Sequence, residues 1–264
     1  MNKRFYIINC RFDDWIPLIK KCTNILHVRN IKLIPKSINS KIILFEPNDH
    51  KLYSNDKRAI LKTDINSINT LNDKCLFTMF MMENFPENIP KTLYVSRNLQ
   101  NGTKIKYIAD DLSENSTIKM IEKEAFGNAG TTVRIVDAIN KNLDDVVVTQ
   151  YIEHAEFYTG HILIKNGTIL KQIYFKGNTN NVLNYIQHGA IKNYTVVEEK
   201  DLGADTDIFG KIFKKLNYTG LTSANFIIID KKIILFEINP RPGGSLIHNE
   251  KYFKEFIAAI MNTY

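Results

Sequence analysis

The stretch "FEINPRPGGS", residues 236–245, closes a run of alternating apolar residues and decides how the chain is interpreted. Glu237, Asn239 and Arg241 occupy alternate positions, so on an extended chain their side chains leave from the same face. Oxygen ligands beside a fixed cation suit a magnesium-bound polyphosphate. The same residues are equally compatible with a salt-bridged strand end that leads into a Pro-Gly turn.

The composition is that of an ordinary globular protein. The chain has 264 residues, of which 44% are hydrophobic and 24% charged, so we expect one large or two small domains. A formal charge of +7 admits nucleic acid, acidic surfaces or anionic substrates such as nucleotides. The lysines are scattered, with only pairs such as Lys20–Lys21, and no long basic run occurs. We therefore expect a solvated basic surface and no nucleic-acid partner.

The cysteines and the apolar runs bear on location. Cys10, Cys22 and Cys75 are widely spaced and form no CxxC pair, which predicts a reducing, cytoplasmic environment. The N-terminal "MNKRFYIINCRFDDW" contains an apolar stretch too short for a signal peptide. No run approaches the ~20 apolar residues of a membrane span, so we expect no membrane association.

Apolar periodicity predicts a small open α/β unit over roughly the first 70 residues. Its strands are predicted in "KRFYIIN" (3–9) and "KIILFEP" (41–47), with a short helix in "WIPLIKKC" (15–22) between them. A helix is predicted next in "NDKCLFTMFMMENF" (72–85), with Asn72 or Asp73 as its N-cap. The segment "PENIPKTLYV" (86–95) then leads into a strand.

From about residue 118 the pattern becomes rich in strands. Strands are predicted in "TIKMIEKEAF" (117–126), "TTVRIV" (131–136), "DVVVTQYI" (145–152), the hairpin "FYTGHILIKNGTILKQIYFK" (157–176) and the hairpin "SANFIIIDKKIILFEINP" (223–240). Asn166-Gly167 is a type I′ turn signal. A helix capped by Asp205 or Thr206 precedes the second hairpin, and an amphipathic helix is predicted from about Tyr252.

A small-residue loop follows the predicted strand that ends near Lys123. Gly127 and Gly130 allow the backbone to approach phosphates, with peptide N–H groups and threonine hydroxyls as donors. The loop lacks the Gly-Lys-Ser/Thr of a Walker A motif, and no helix follows it. An ordinary glycine-containing hairpin is compatible with the same residues. The later "TQYIEHAE" places Glu153 and Glu156 at the start of a strand, where solvated carboxylates are the simpler interpretation.

Taken together and in this order, these segments resemble the ATP-grasp superfamily of ATP-dependent carboxylate–amine or thiol ligases. That superfamily includes carbamoyl phosphate synthetase, biotin carboxylase and D-alanine–D-alanine ligase. Four segments between about residues 72 and 250 carry the resemblance: "DKCLFTMFMMENFPENIPKT", "IEKEAFGNAGTTV", "VVVTQYIEHAEFY" and "FEINPRPGGS".

The resemblance implies an α+β protein with the ATP-grasp fold, in which two α+β subdomains clasp ATP. A short Rossmann-like α/β domain would precede them. The implied domains are 1–71 for this N-terminal domain, 72–148 for the lid subdomain and 149–264 for the C-terminal subdomain with the metal site.

The resemblance also implies roles in nucleotide binding. Lys74 and Lys123 would contact the phosphates, and Glu156 would bind the ribose hydroxyls. The loop over the phosphates would comprise Gly127, Asn128, Ala129, Gly130 and Thr131. The hinge that cradles adenine would comprise Gln150, Tyr151 and Ile152, beside Thr149 where many members have glutamate.

At the opening stretch, the resemblance implies that Glu237 and Asn239 are metal ligands. Asn225 would share the metal, although the family usually has a carboxylate at this position. Arg241 would act catalytically beside the transferred phosphate, together with Lys123. Gly243, Gly244 and Ser245 would either place peptide N–H groups near the phosphate or form a tight turn, and His248 could contact an acceptor.

The implied activity is an ATP-dependent ligase that joins a carboxylate to an amine, in an amide or peptide bond, through an acyl phosphate. ATP and Mg²⁺, or Mn²⁺ in its place, would be required, and the substrates would be small-molecule or peptide carboxylates and amines. Two alternatives stay open: a phosphoryl-transfer or carboxyphosphate-forming enzyme with another acceptor, and a non-catalytic ATP-binding module. A homodimer is a family-level expectation, and the sequence does not identify the substrates.

Overall fold

A computed structural model of the chain describes residues 3–8, 15–22, 25–37, 39–110, 119–127, 132–153, 156–177, 194–247 and 249–264. Within these residues the strands form three sheets, of four, five and five strands. The mixture of sheets and helices confirms the predicted α+β class.

The N-terminal sheet is parallel throughout. Its strands are β1 (Arg4–Ile8), β2 (Ile25–Val28), β3 (Ser40–Ile43) and β4 (Ala59–Ile60). They lie in the order β2-β1-β3-β4. Helix α1 (Trp15–Lys20) packs its apolar face on the sheet, and α2 (Pro47–Tyr53) follows β3. The chain therefore begins with the predicted α/β unit.

Two consecutive helices connect this unit to the rest of the chain. They are α3 (Ile65–Asn72) and α4 (Lys74–Asn84), and Asp73 separates them. The Asp73 carboxylate accepts hydrogen bonds from the backbone N–H groups of Cys75 and Leu76, which identifies Asp73 rather than Asn72 as the N-cap. Its other oxygen accepts a hydrogen bond from Arg97 Nε at 2.6 Å, which ties the start of α4 to the next sheet.

The middle sheet is antiparallel. Its strands are β5 (Thr92–Asn98), β6 (Lys104–Ile108), β7 (Met120–Glu124), β8 (Val133–Val136) and β9 (Val146–Gln150). They lie in the order β6-β5-β9-β7-β8. Lys123 is the fourth of the five residues of β7, near the end of the strand, as the sequence predicts.

The C-terminal sheet is also antiparallel. Its strands are β10 (Phe157–Lys165), β11 (Thr168–Gly177), β12 (Tyr194–Val197), β13 (Gly220–Ile229) and β14 (Lys232–Asn239), in the order β12-β11-β10-β13-β14. Three helices complete this part: α5 (Asp207–Lys215), α6 (Gly244–Ile247) and α7 (Glu250–Thr263). Buried apolar residues of α5 cover one face of the sheet, and α7 packs between the first and third sheets.

Most local predictions agree with the structure. Asn166 and Gly167 both have positive φ, 49° and 75°, as a type I′ hairpin turn requires. The last helix begins at Glu250, two residues before the predicted Tyr252. The proposed domain boundaries stay predictions, and β9 continues to Gln150, past the division drawn at residue 148. Among the described residues, no helix is both long enough and apolar enough to cross a membrane.

Candidate nucleotide and metal site

A bulge in β14 places the carboxylate of the opening stretch. Asn225 of β13 pairs with Glu237, but the next residue, Phe226, pairs with Leu235, so Phe236 is an extra residue in β14. Leu235 is buried in the core beneath the sheet. In a regular strand Glu237 would lie on that same buried face, and the extra residue turns it to the opposite face.

The Glu237 carboxylate accepts hydrogen bonds from two amide side chains. Asn225 Nδ2 donates to Oε1 at 2.7 Å, and Asn239 Nδ2 donates to the same oxygen at 3.1 Å. The second oxygen, Oε2, lies 3.9 Å from Lys74 Nζ. Burial pushes the pKa of Glu237 upward, and the charges of Lys74 and Lys123 push it down. Together with the two amide hydrogen bonds, these charges hold the pKa of Glu237 below its ordinary value.

Two lysines approach Glu237 from different elements. Lys74 begins α4, where its N–H donates to Ala125 O at 2.9 Å and its Nζ lies 3.4 Å from Gly127 O. Lys123 comes from β7, and its Nζ lies 5.0 Å from the centre of the Phe236 ring. Burial lowers the pKa of Lys123 to about 8; Glu237 opposes this shift and Lys74 adds to it. A polyanion bound here would relieve the repulsion between the two lysines.

The side chains around Glu237 fit a single divalent cation that phosphate oxygens also coordinate. They supply one carboxylate and two amides, which are hard oxygen ligands of the kind Mg²⁺ takes. Asn225 Oδ1 accepts a hydrogen bond from Thr159 Oγ1 at 3.0 Å. If the amide turned by 180°, its nitrogen could donate to the Thr159 hydroxyl and its oxygen could face the cation.

The protein alone offers little negative charge for a metal. Among the described residues, no three His, Cys, Asp or Glu side chains are grouped so that they could hold an ion. Glu237 is the one carboxylate of the three predicted ligands, because position 225 holds an amide. Most of the negative charge around a cation would therefore have to come from a bound polyphosphate.

Arg241 reaches the same cleft in a way the alternation did not predict. β14 ends at Asn239, and the Arg241 N–H donates to Asn239 O at 2.8 Å, so the chain turns at Pro240. The expectation of one extended segment through all three positions is therefore wrong at Arg241. The side chain nevertheless lines a cleft together with Glu237 and Asn239.

The Gly-Gly-Ser segment packs tightly where the chain enters α6, which begins at Gly244. Ser245 Oγ lies 2.7 Å from His161 Nε2, and both residues are buried. A Cβ atom at position 243 would lie 2.9 Å from both His161 Cε1 and Ser223 Cβ, which explains glycine there. Burial lowers the pKa of His161 to about 3, so the ring is neutral at ordinary pH. These contacts give Gly243 and Ser245 a packing role at the start of a short helix, while a phosphate-binding role of the peptide N–H groups stays a prediction.

The predicted adenine hinge lies at the end of β9, the central strand of the middle sheet. The N–H of Gln150 donates to Lys91 O at 2.9 Å, and the N–H of Tyr151 donates to Lys119 O at 3.0 Å. Both donors are thus already used within the protein. A base would have to pair with carbonyl groups here or with the backbone at Ile152.

A narrow cavity between the middle and C-terminal sheets begins beside this hinge. Buried Thr149 lines it, as do Lys74, Lys123 and Phe236. It has room for about one water molecule, so the two sheets would have to separate to admit a purine.

The predicted ribose ligand has partners within its own sheet. Glu156 accepts a hydrogen bond from Tyr158 OH at 2.8 Å and forms an ion pair with Lys176. Lys176 and then Tyr158 lower the pKa of Glu156. The loop residues Asn128, Ala129, Gly130 and Thr131, like His248, lie outside the described residues.

Sequence reasoning missed the opposite wall of the cleft. The cleft has a volume of about 640 Å³, and Glu46, Asn48 and Asp49 of the N-terminal unit line it together with residues of β14. A signal was present: the hexapeptide KIILFE occurs at residues 41–46 and again at 232–237. Each copy ends in a glutamate, and both glutamates line this cleft.

Comparison with known proteins identifies the family. A family model described as "ATP-grasp domain" matches residues 71–245, about two thirds of the chain. The chain therefore belongs to the ATP-grasp family, as the resemblance implied. No curated protein sequence matches the chain.

Solved structures with the same fold include two ligases and one synthetase. D-alanine–D-alanine ligase from Bacillus anthracis is 14% identical, with a TM-score of 0.62 and coverage of 99% of this chain and 97% of that one. L-amino acid ligase from Bacillus licheniformis is 13% identical, with a TM-score of 0.59 and coverage of 98% and 74%. N5-carboxyaminoimidazole synthetase from Staphylococcus aureus, complexed with ADP, is 11% identical, with a TM-score of 0.60 and coverage of 99% and 79%. At these identities the likeness confirms the ATP-grasp fold.

Proposed function

We propose that this protein is an ATP-dependent ligase that joins a carboxylate to an amine through an acyl phosphate. One observation carries the proposal: the carboxylate of Glu237 interacts electrostatically with two lysines from separate elements, accepts hydrogen bonds from two amide side chains, and shares a cleft with Arg241. Such an arrangement suits a polyphosphate with its cation. The similar structures named above, two ligases and a synthetase complexed with ADP, support the same chemistry.

The chemistry explains why such a site needs no protein nucleophile. A carboxylate is a poor electrophile, because resonance stabilises it and its leaving group would be oxide. Attack of a carboxylate oxygen on the γ-phosphorus of ATP releases ADP and forms an acyl phosphate. The amine then attacks the acyl carbon, the bond from that carbon to the phosphate oxygen breaks, and inorganic phosphate leaves. The protein's task is positioning, charge neutralisation and exclusion of water.

In this proposal Lys74 and Lys123 bind the phosphates, and Arg241 neutralises charge on the transferred group. Glu237 and Asn239 would hold the cation, with Asn225 as a third ligand. Mg²⁺ supplies Lewis-acid stabilisation of the phosphate oxygens when it is bound, and Mn²⁺ has similar ligand preferences.

The rest of the nucleotide would extend from the lysines toward the hinge. Gln150, Tyr151 and Ile152 would flank adenine, and Glu156 would bind the ribose after exchanging Lys176 or Tyr158 for the hydroxyl groups. The segment from Gly127 to Thr131 would cover the phosphates. A cytoplasmic location and a homodimer stay predictions.

The test is ADP formation with ATP and Mg²⁺ across a panel of carboxylates and amines. We expect repeated turnover to ADP only when both substrates are present, since the carboxylate alone can form no more than the acyl phosphate, and loss of the signal in Glu237→Gln. Glu87→Gln is the matched control, because Glu87 is an exposed carboxylate on a short turn after α4. ADP formation that needs neither substrate, or that survives in Glu237→Gln, would contradict the proposal.

The amide at position 225 keeps a non-catalytic ATP-binding module as the second candidate. Asn225 provides no negative charge for a cation and now donates a hydrogen bond to Glu237. Calorimetric ATP binding without ADP formation on any substrate pair would favour the module. A phosphorylated product that accumulates without release of phosphate would favour phosphoryl transfer to another acceptor.

A further inference from the structure

The cleft beside Glu237 has a second wall, built by the N-terminal unit. In the parallel sheet β1 lies between β2 and β3, so the chain moves to one side of β1 and then crosses to the other. In open parallel sheets, ligands bind outside the carboxyl ends of the strands at such a switch point. β3 ends at Ile43, and Glu46 follows where the chain enters α2.

Two carboxyl groups on this wall form a capping box at the start of α2. Asp49 Oδ2 accepts hydrogen bonds from the backbone N–H groups of Phe45 and Glu46, at 3.3 and 3.1 Å, and the Glu46 side chain accepts one from the backbone N–H of Asp49. Both side chains therefore hold the shape of the turn between β3 and α2. The buried Glu46 also lines the same cleft as Arg241. A cleft that presents both a carboxylate and a guanidinium suits a ligand with a positive end as well as a negative one.

The same cleft has an apolar portion. Leu52 of α2 is 67% exposed and Phe126, two residues after the end of β7, is 53% exposed. Both line the cleft with the buried Leu71. Large apolar side chains exposed inside a concave site commonly contact the apolar part of a ligand. A volume of about 640 Å³ lies within the usual range for small-molecule sites.

We propose that this cleft binds the amine substrate, and that the substrate is an amine with an apolar body, such as an apolar amino acid. Glu46 binds the ammonium group, while Leu52, Leu71 and Phe126 contact the apolar body. The inference rests on the proposed ligase function. It places the amine beside Arg241 and Glu237, where the acyl phosphate would form.

With hydroxylamine as the amine, the proposed ligase function can be tested separately from the proposed amine site. It is small and largely uncharged at neutral pH, so it attacks an acyl phosphate without needing an ammonium site or an apolar wall. Its nitrogen forms a bond to the acyl carbon, phosphate leaves, and the hydroxamate product is measured directly. Wild-type protein with ATP, Mg²⁺, hydroxylamine and a carboxylate panel first identifies a carboxylate that is activated.

With that carboxylate, KM is measured for L-leucine and for L-aspartate as the amine substrates. We expect L-leucine to be preferred, and Glu46→Gln to raise its KM about tenfold or more, the effect of one charge-assisted hydrogen bond. The KM for ATP should change much less than the KM for L-leucine. Melting temperatures show whether Glu46→Gln is folded.

A second variant changes an exposed residue, so it tests the site without disturbing a buried position. Leu52→Lys adds a positive charge at an exposed site in the cleft and should raise the KM for L-leucine severalfold by repelling its ammonium group. The matched control is Leu33→Lys, because Leu33 is 68% exposed on the turn Ile31–Leu33 and does not line the cleft. Leu33→Lys should leave KM unchanged.

The outcomes are distinct. No hydroxamate with any carboxylate would contradict the ligase function itself. Hydroxamate formation together with a preference for L-aspartate, or with an unchanged KM for L-leucine in folded Glu46→Gln or in Leu52→Lys, would overturn the inference and leave the ligase function standing.

Discussion

Asn225 and Glu237 are joined side chain to side chain across β13 and β14, with 2.7 Å between Nδ2 and Oε1. The bulge at Phe236 makes this contact possible, because it turns Glu237 away from the face that Leu235 buries. The amide donates to the carboxylate here, whereas two metal ligands would both present oxygen atoms. If the two residues are metal ligands as proposed, the Asn225 amide would have to turn when a cation binds.

Glu237→Gln should abolish turnover with little effect on the fold. The glutamine oxygen can still accept hydrogen bonds from Asn225 and Asn239, so we expect a small change in melting temperature. Turnover should fall by about 10²-fold or more, because the negative charge that fixes the cation and balances the lysines is lost. Magnesium-dependent ADP formation and the melting temperature are measured on the same preparation. A large drop in melting temperature with preserved activity would show that Glu237 is only structural.

Asn225→Asp should make the melting temperature depend on magnesium in the absence of nucleotide. Two carboxylates would then face each other at about the distance of the present hydrogen bond, and their repulsion should lower the melting temperature. Mg²⁺ between them would reverse the loss, whereas Mg²⁺ should shift the wild-type melting temperature very little. The measurement is a thermal melt with and without MgCl₂, with no ATP present. Equal responses of the two proteins would show that position 225 is not a metal ligand.

Nucleotide affinity should weaken as the pH rises through the pKa of Lys123. Burial lowers this pKa to about 8, so the unliganded lysine is protonated below about pH 8 and loses its charge above it. Binding a phosphate requires the charged form, so Kd should be flat below about pH 8 and rise above it by up to about tenfold per pH unit. Calorimetry at several pH values measures this. Lys123→Arg should flatten the profile, because arginine stays charged; a profile identical to wild type would remove Lys123 from the site.

Glu156 should distinguish ATP from 2′-deoxy-ATP. Its carboxylate is now held by Tyr158 and Lys176, and a ribose hydroxyl would compete for the same oxygens. Wild-type protein should bind ATP more tightly than the deoxynucleotide, and Glu156→Gln should reduce the difference. The two Kd values are compared in each protein. Equal affinity of the wild type for both nucleotides would place Glu156 outside the ribose site.

Local sequence patterns predict much of the fold. Asp73 caps α4 as its chemistry favours, and Asn166-Gly167 forms the expected turn. The cap and the turn depend on neighbouring residues in the chain, which the sequence shows directly. The roles of Lys74 and Lys123 come from the family resemblance and stay predictions.

The missed features depend on contacts between distant segments. The bulge at Phe236 arises from the register of β14 against β13, which alternation alone does not reveal. The two copies of KIILFE show the limit clearly. The first begins in the parallel strand β3 and ends at the N-cap of α2, and the second lies within an antiparallel hairpin. Only the tertiary fold brings Glu46 and Glu237 into one cleft.

Transfer of oxygen from the carboxylate to phosphate tests the central claim most directly. The carboxylate substrate that gives the most hydroxamate is labelled with ¹⁸O in both carboxylate oxygens and incubated with ATP, Mg²⁺ and the preferred amine. Attack of a carboxylate oxygen on the γ-phosphorus carries that oxygen into the acyl phosphate, and breakage of its bond to the acyl carbon leaves it in inorganic phosphate. The account predicts one ¹⁸O atom per phosphate released, measured by mass spectrometry, and labelled phosphate formed about 10²-fold or more slowly with Glu237→Gln. Unlabelled phosphate released by the wild type in step with ADP would contradict it, because water and not the carboxylate would then have accepted the phosphoryl group.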